Sequence, residues 1–225
     1  MTNTAFGKEH AASYADRPRR QVPGFDSLHR MAGMLLAERA PIDARILVLG
    51  AGGGLELQAL ADAHPGWSFD GVDPSPDMLR LARHTAAAHA ARVQLVEGYI
   101  DSAPDGPYDG ATALLTFHFI PREQRSATLA HIHRRLKPGA AFVLAHISFP
   151  QTEPERSQWI ARHVAYSAAP GADPARLRQA REAIGARLTI LAPEDEEEML
   201  RQAGFTGVSL FYAGLGFRGW VAYKR

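Results

Sequence analysis

Short apolar runs rich in β-branched residues recur along the chain, and between them apolar positions fall at helical spacing. Ile46 to Leu49, Phe69 to Val72, Val93 to Glu97, Tyr108 to Leu115 and Ala141 to His146 read as strands. Asp26 to Arg39 puts Leu28, Met31, Met34 and Leu35 on one stripe and reads as a helix. Helices are also expected over Leu55 to His64, Pro76 to Ala88 and Arg122 to Leu136. Pro76 and Asp77 suit a first turn, and Lys137-Pro138-Gly139 reads as a stop signal. Strands alternating with helices predict an α/β fold, a doubly wound, mostly parallel sheet covered on both faces. The pattern changes near the end. Glu194 to Ala203 reads as a helix closed by Gly204. Val208 to Tyr212 and Phe217 to Tyr223 follow as two strands. Only Ala213-Gly214-Leu215-Gly216 separates them, too short for a crossover helix, so the pair is expected to be antiparallel. Seven strands are thus predicted, the last antiparallel.

At 225 residues a single domain over 1–225 is the default. Residues 1–40 are read as an N-terminal cap whose first dozen residues are either frayed or folded over a site. Phe149 to Pro193 exceeds an ordinary connection and carries Trp159, His163, Tyr166 and several arginines. This insertion, 149–193, is a candidate helical lid or homodimer element. The plainer alternative is a helical pair that pads the sheet.

Composition narrows the chemistry. A net charge of +1 gives no footprint for nucleic acid. No cysteine is present, which excludes disulfides, thiolate metal sites and a cysteine nucleophile. No apolar run reaches transmembrane length and the first ten residues hold no signal core, so no membrane contact and a cytoplasmic location are expected. His131 and His133 are two apart on an expected helix and do not share a face, and no H-E-x-x-H occurs, so no metal is expected. The acidic run Glu194 to Glu198 reads as a solvated first turn.

The candidate chemistry sits at Gly50-Ala51-Gly52-Gly53-Gly54, where the first strand ends and a helix begins. Glycine lets the backbone turn sharply and lets a ligand approach it closely. Asp73, about twenty residues on at the tip of the next strand, suits ribose hydroxyls. Together they indicate a nucleoside-containing cofactor. A dinucleotide fingerprint needs a third glycine where Leu55 stands. The G-x-G-x-G pattern instead resembles the first motif of the class I S-adenosylmethionine-dependent methyltransferases.

That resemblance implies a Rossmann-like methyltransferase fold and a set of roles. Gly50, Ala51 and Gly52 would cradle the methionine end of S-adenosylmethionine and Asp73 would hold the ribose. Pro74 and Met78 match the segment bordering adenine. Tyr99 and Ile100 follow the third strand, where the family usually has a Gly-Asp pair; Tyr99 replaces that Asp, and Asp101 either substitutes for it or caps the turn. Val48 stands where many members carry an acid. The end of the fourth strand, with Leu115 and His118, would face sulfonium and acceptor. Methyl transfer draws mainly on alignment, and His118 is the candidate base where the acceptor must lose a proton. His146 is a weaker candidate.

The segment Arg19 to Phe25, Met31 to Leu35, and the C-terminal stretch Gln202 to Lys224 resemble the carboxy-S-adenosylmethionine synthase family of tRNA wobble-uridine modification. In that likeness Phe25 replaces a cofactor-contacting Tyr. Arg181 matches an arginine supplied across a dimer interface to the product carboxylate. The expected function is S-adenosylmethionine-dependent methyl transfer to a small-molecule acceptor. Alternatives are a synthase-like enzyme, a nicotinamide oxidoreductase and a non-catalytic cofactor-binding protein.

Overall fold

The structure is a computed structural model describing residues 16–168 and 171–225. The expected behaviour of the first dozen residues, and so the start of the cap, lies outside the described residues. Residues 16–21 are helical and lead into α1 (Phe25–Ala37). Then come β1 (Arg45–Leu49), α2 (Leu55–Ala63), β2 (Ser68–Asp73), α3 (Pro76–Thr85), β3 (Val93–Glu97) and β4 (Tyr108–Leu114). They are followed by α4 (Arg122–Arg135), β5 (Leu136–Ile147), α5 (Glu155–Ser167), α6 (Pro174–Arg187), α7 (Pro193–Gln202), β6 (Phe205–Gly214) and β7 (Phe217–Lys224).

One seven-stranded sheet runs β3-β2-β1-β4-β5-β7-β6. Neighbours from β3 to β5 are parallel, and β7 is antiparallel to both β5 and β6. Side chains alternate across the sheet. Ile46 and Val48 of β1 with Val143 and Ala145 of β5 face a core that includes Leu28 and Leu36 of α1 and Leu57 and Leu60 of α2. Leu47, Leu49, Phe142 and Leu144 face the opposite core with Leu129 and Ile132 of α4 and Leu200 of α7. The strand order reverses between β2-β1 and β4-β5, which opens a crevice at the carboxyl ends of β1 and β4. No helix among the described residues is long and apolar enough to cross a membrane.

Three readings need correction. Lys137-Pro138-Gly139 does not separate helix from strand. It belongs to β5, which pairs from Leu136 opposite Tyr108 and then shifts register, so the proline that cannot donate sits where pairing is irregular. The helix from Pro76 stops at Thr85 and gives way to a 3-10 turn, Ala87–Arg92. The acidic run is not wholly solvated, because Glu196 is 2% exposed. It lies on the inward face of α7 with Leu200, one helical turn away, ion-pairs with Arg125 and is hydrogen-bonded to His146.

Candidate functional site

The loop after β1 takes its shape from three left-handed glycines, Gly50 (φ 78°), Gly52 (φ 50°) and Gly54 (φ 85°). A Cβ on Gly50 would overlap Thr116, and one on Gly54 would stand 2.8 Å from Ala82 Cα in α3. At these two positions the missing side chain makes room for the protein itself. The loop's donors are also engaged. Gly50 and Ala51 N–H donate to Val72 O (2.8 and 3.0 Å) and Gly54 N–H to Ala51 O (3.0 Å). Gly52 N–H donates to Asp73 Oδ2 at 2.9 Å. A phosphate-binding turn presents free N–H groups. These four are committed internally, which argues against a pyrophosphate and therefore against the nicotinamide alternative.

Asp73 is 8% exposed, and its second oxygen accepts from Ser75 N–H at 2.9 Å. Each carboxylate oxygen keeps a lone pair for a further donor. Ser75 Oγ caps α3 by accepting from Met78 N–H. Gly98 N–H donates to Asp73 O, drawing the turn after β3 against the acid. Asp101 Oδ1 accepts from Ser102 N–H, the turn-capping outcome.

One cleft of about 1700 Å³ joins these elements. Gly50, Ala51, Gly52, Asp73, Pro74 and Met78 line it. Phe25, Tyr99, Ile100, Leu115 and His118 line it as well. Tyr99 is 70% exposed and offers its ring to the cleft, while Phe25 is buried. Leu115 has a left-handed backbone (φ 58°), a conformation that costs an L-residue about 1–2 kcal/mol. It turns the chain so that Thr116 reaches behind Gly50, with Oγ1 donating to Leu114 O at 3.0 Å.

His118 is buried, and Ile147 N–H approaches its Nδ1 at 3.5 Å. Burial first, then the neighbouring His146, Arg125 and His163, hold its pKa well below the ordinary histidine value. Its imidazole is neutral at physiological pH. With Nδ1 facing a donor, the proton sits on Nε2.

The helices of the insertion form the outer wall. Arg176, Ala180, Ala183 and Arg187 mark the stripe of α6 that lines the cleft. Arg181, one residue from that stripe, is exposed and outside the lining. His163 of α5 lines the same wall. Sequence spacing did not single out Arg176, Arg187 or Glu56. The two arginines stand in an arginine-rich helix with no motif to fix its register. Glu56 reads as a first-turn acid favoured by the helix dipole, yet it is buried and faces the cleft.

Behind the outer wall, Glu196 joins Arg125 and His146, the latter at 2.8 Å. Burial opposes ionisation of Glu196, but His146 and Arg125 outweigh it and lower its pKa. Arg125 also donates to Ile120 O and Thr189 O. The weaker candidate His146 thus links β5 to α7 through Glu196. Among the described residues no group of three or more His, Asp or Glu side chains could hold a metal ion.

Residues 46–139 match a family described as a methyltransferase domain. Among curated proteins, the carboxy-S-adenosyl-L-methionine synthase of Chromohalobacter salexigens is 29% identical over 228 residues, covering 100% of this chain and 84% of that protein. The synthase of Citrifermentans bemidjiense is 27% identical over 234 residues, covering 100% and 94%. Residues 46–139 thus carry a methyltransferase domain, and over its whole length the chain is similar to enzymes that use S-adenosylmethionine. Its cofactor is S-adenosylmethionine. A solved O-methyltransferase family protein from Burkholderia thailandensis shares the methyltransferase fold with a TM-score of 0.67 at 16% identity. The likeness covers 98% of this chain, which spans only 61% of that longer one.

Proposed function

We propose that this methyltransferase-fold enzyme transfers a methyl group from S-adenosylmethionine to a small-molecule acceptor held beneath the insertion. The observation that carries the reading is the carboxylate of Asp73. It is fixed by Gly52 and Ser75 N–H at the mouth of a cleft of about 1700 Å³, more than one small ligand ordinarily fills. In this reading Asp73 accepts from the ribose hydroxyls. Pro74, Met78, Tyr99 and Ile100 border adenine, with Tyr99 stacking on it. Gly50, Ala51, Gly52, Phe25 and Leu115 enclose the methionine end. The cofactor supplies the electrophilic methyl group. The protein's own contribution is alignment of an acceptor along one axis and exclusion of water.

His118, neutral with its proton on Nε2, orients that acceptor as a hydrogen-bond donor more readily than it removes a proton. Arg176 and Arg187 favour an acceptor with negative charge. The described residues of 149–193 act as a lid and residues 16–40 as part of a cap. Arg181 would contribute only to the site of a second copy, which sedimentation at rising protein concentration tests directly. For the main reading, calorimetric titration compares S-adenosylmethionine with NAD. Binding of the first alone is expected, and binding of NAD alone would overturn the reading.

A second reading is a synthase that carboxylates the cofactor. It is favoured by full-length relatives of that name and by the two cleft arginines, which suit a carboxylate. Mass spectrometry of ligand released from purified protein separates the two, since the synthase product is heavier by one carboxyl group.

A further inference from the structure

Glu56 is a buried cleft residue that the proposed reaction leaves unused. It lies in the first turn of α2, is 6% exposed and lines the cleft beside the glycine loop. Its Oε1 has no hydrogen-bond partner. The Thr112 hydroxyl of β4 is near enough to favour the ionised form, but no hydrogen bond of sound geometry reaches Oε1 or Thr112 Oγ1. Thr112 pairs in register with Val48 of β1, so its neighbour across the strands is an aliphatic side chain. No cation contributes to its electrostatics; burial dominates and pushes its pKa up to about 8.

A buried carboxyl without a partner costs stability and persists where a ligand completes it. The remaining carboxylates lining the cleft are occupied or distant in character. Asp73 serves the loop and the α3 cap, and Asp101 and Glu123 are exposed. The partner must be a hydrogen-bond donor, and a cationic one gains most because it pairs with the ionised form. At the methionine end of the bound cofactor, the group of that kind is the α-ammonium.

We propose that Glu56 anchors the α-ammonium of the cofactor's methionine moiety, the strand end below it being apolar at Val48. This rests on the reading that S-adenosylmethionine lies along the loop.

The test is a ligand-by-variant cycle in calorimetry, wild type against Glu56→Gln. The probes are S-adenosylhomocysteine, its deamino analogue 4-(5′-adenosylthio)butanoate and its decarboxylated analogue. S-adenosylhomocysteine carries no sulfonium, so its amino-acid charges are the α-ammonium and the α-carboxylate, which the decarboxylated and deamino analogues separate. The substitution is expected to weaken S-adenosylhomocysteine and the decarboxylated analogue by about tenfold or more, the size of a charge-assisted hydrogen bond, and to change the deamino analogue by less than about twofold. Wild type is likewise expected to bind the deamino analogue at least about tenfold more weakly than S-adenosylhomocysteine, a comparison needing no variant. Melting of the ligand-free proteins separates anchoring from packing. Glu56→Gln is expected to melt no lower than wild type. Equal losses for all three ligands, or a lower melting point with the amine preference intact, would overturn the proposal. Failure of wild type to bind S-adenosylhomocysteine at all would instead overturn the cofactor placement on which it rests.

Discussion

The two halves of the cleft are built on opposite plans. The inner half, from the glycine loop to Asp73 and the cap of α3, is closed by its own hydrogen bonds and by backbone contact at Gly54. The outer half consists of α5 and α6, where α6 has no fully buried residue and lines the cleft with Arg176 and Arg187, small alanines, and Leu177 and Ile184. The inner half can hold a constant ligand without rearranging. The outer half can change its side chains at little cost in stability, because few of them support a core. In the proposed reading, binding of a shared cofactor and choice of acceptor are thereby separated in space.

The largest effect that would test this contrast comes from the support behind the cleft. Glu196→Ala leaves Arg125 buried without its carboxylate and is expected to cost about 3–5 kcal/mol in denaturant unfolding, the range for breaking a buried pair. Asp73→Ala removes the acceptor for Gly52 and Ser75 as well as for a sugar. It is expected to weaken S-adenosylmethionine by about 100-fold or more, read by calorimetry. Gly54→Ala places a methyl group against Ala82 in a left-handed conformation. A loss of about 1–3 kcal/mol is expected, seen as a lower melting temperature with cofactor affinity falling in parallel. The paired substitution Arg176→Gln and Arg187→Gln should leave cofactor affinity unchanged within about twofold while raising KM for an anionic acceptor severalfold. Equal effects on both would merge the two halves into one site.

The smallest and most diagnostic effect is on pH. The pKa of Glu56 is raised from 4.5 to about 8 in the folded protein, so between those values the folded state binds more protons than the unfolded chain. Its contribution to stability therefore falls as pH rises through that window. The ligand-free wild type is expected to lose melting temperature relative to Glu56→Gln from about pH 5 to pH 8. The difference should shrink when S-adenosylhomocysteine is bound.

Much of the sheet was legible because its strands are apolar runs bounded by glycine, proline and acidic residues, and parallel order follows from alternation with helices. β3 matches its expected span, and the antiparallel pair followed from a four-residue link. That the glycine loop and Asp73 meet in one cleft was legible because turn chemistry is local. Glu56 and Glu196 were not, since both look like first-turn acids and only the packing of α2 over β4, or of α7 against α4 and β5, reveals where they point. Arg176 and Arg187 escaped for a related reason. A helix with scarcely any apolar asymmetry gives no hint of which arginine turns inward.

Gly54 sets a dimension as well as a turn. Because Gly54 has no side chain, the loop packs against the main chain of α3 at Ala82, and the spacing between the loop at 50–52 and the carboxylate at 73 is held by that packing and by the Gly52–Asp73 hydrogen bond. The molecule carries in effect a caliper cut to one length. A ligand with a longer or shorter bridge between its sugar and its charged tail would be rejected by that span before any acceptor-side residue met it.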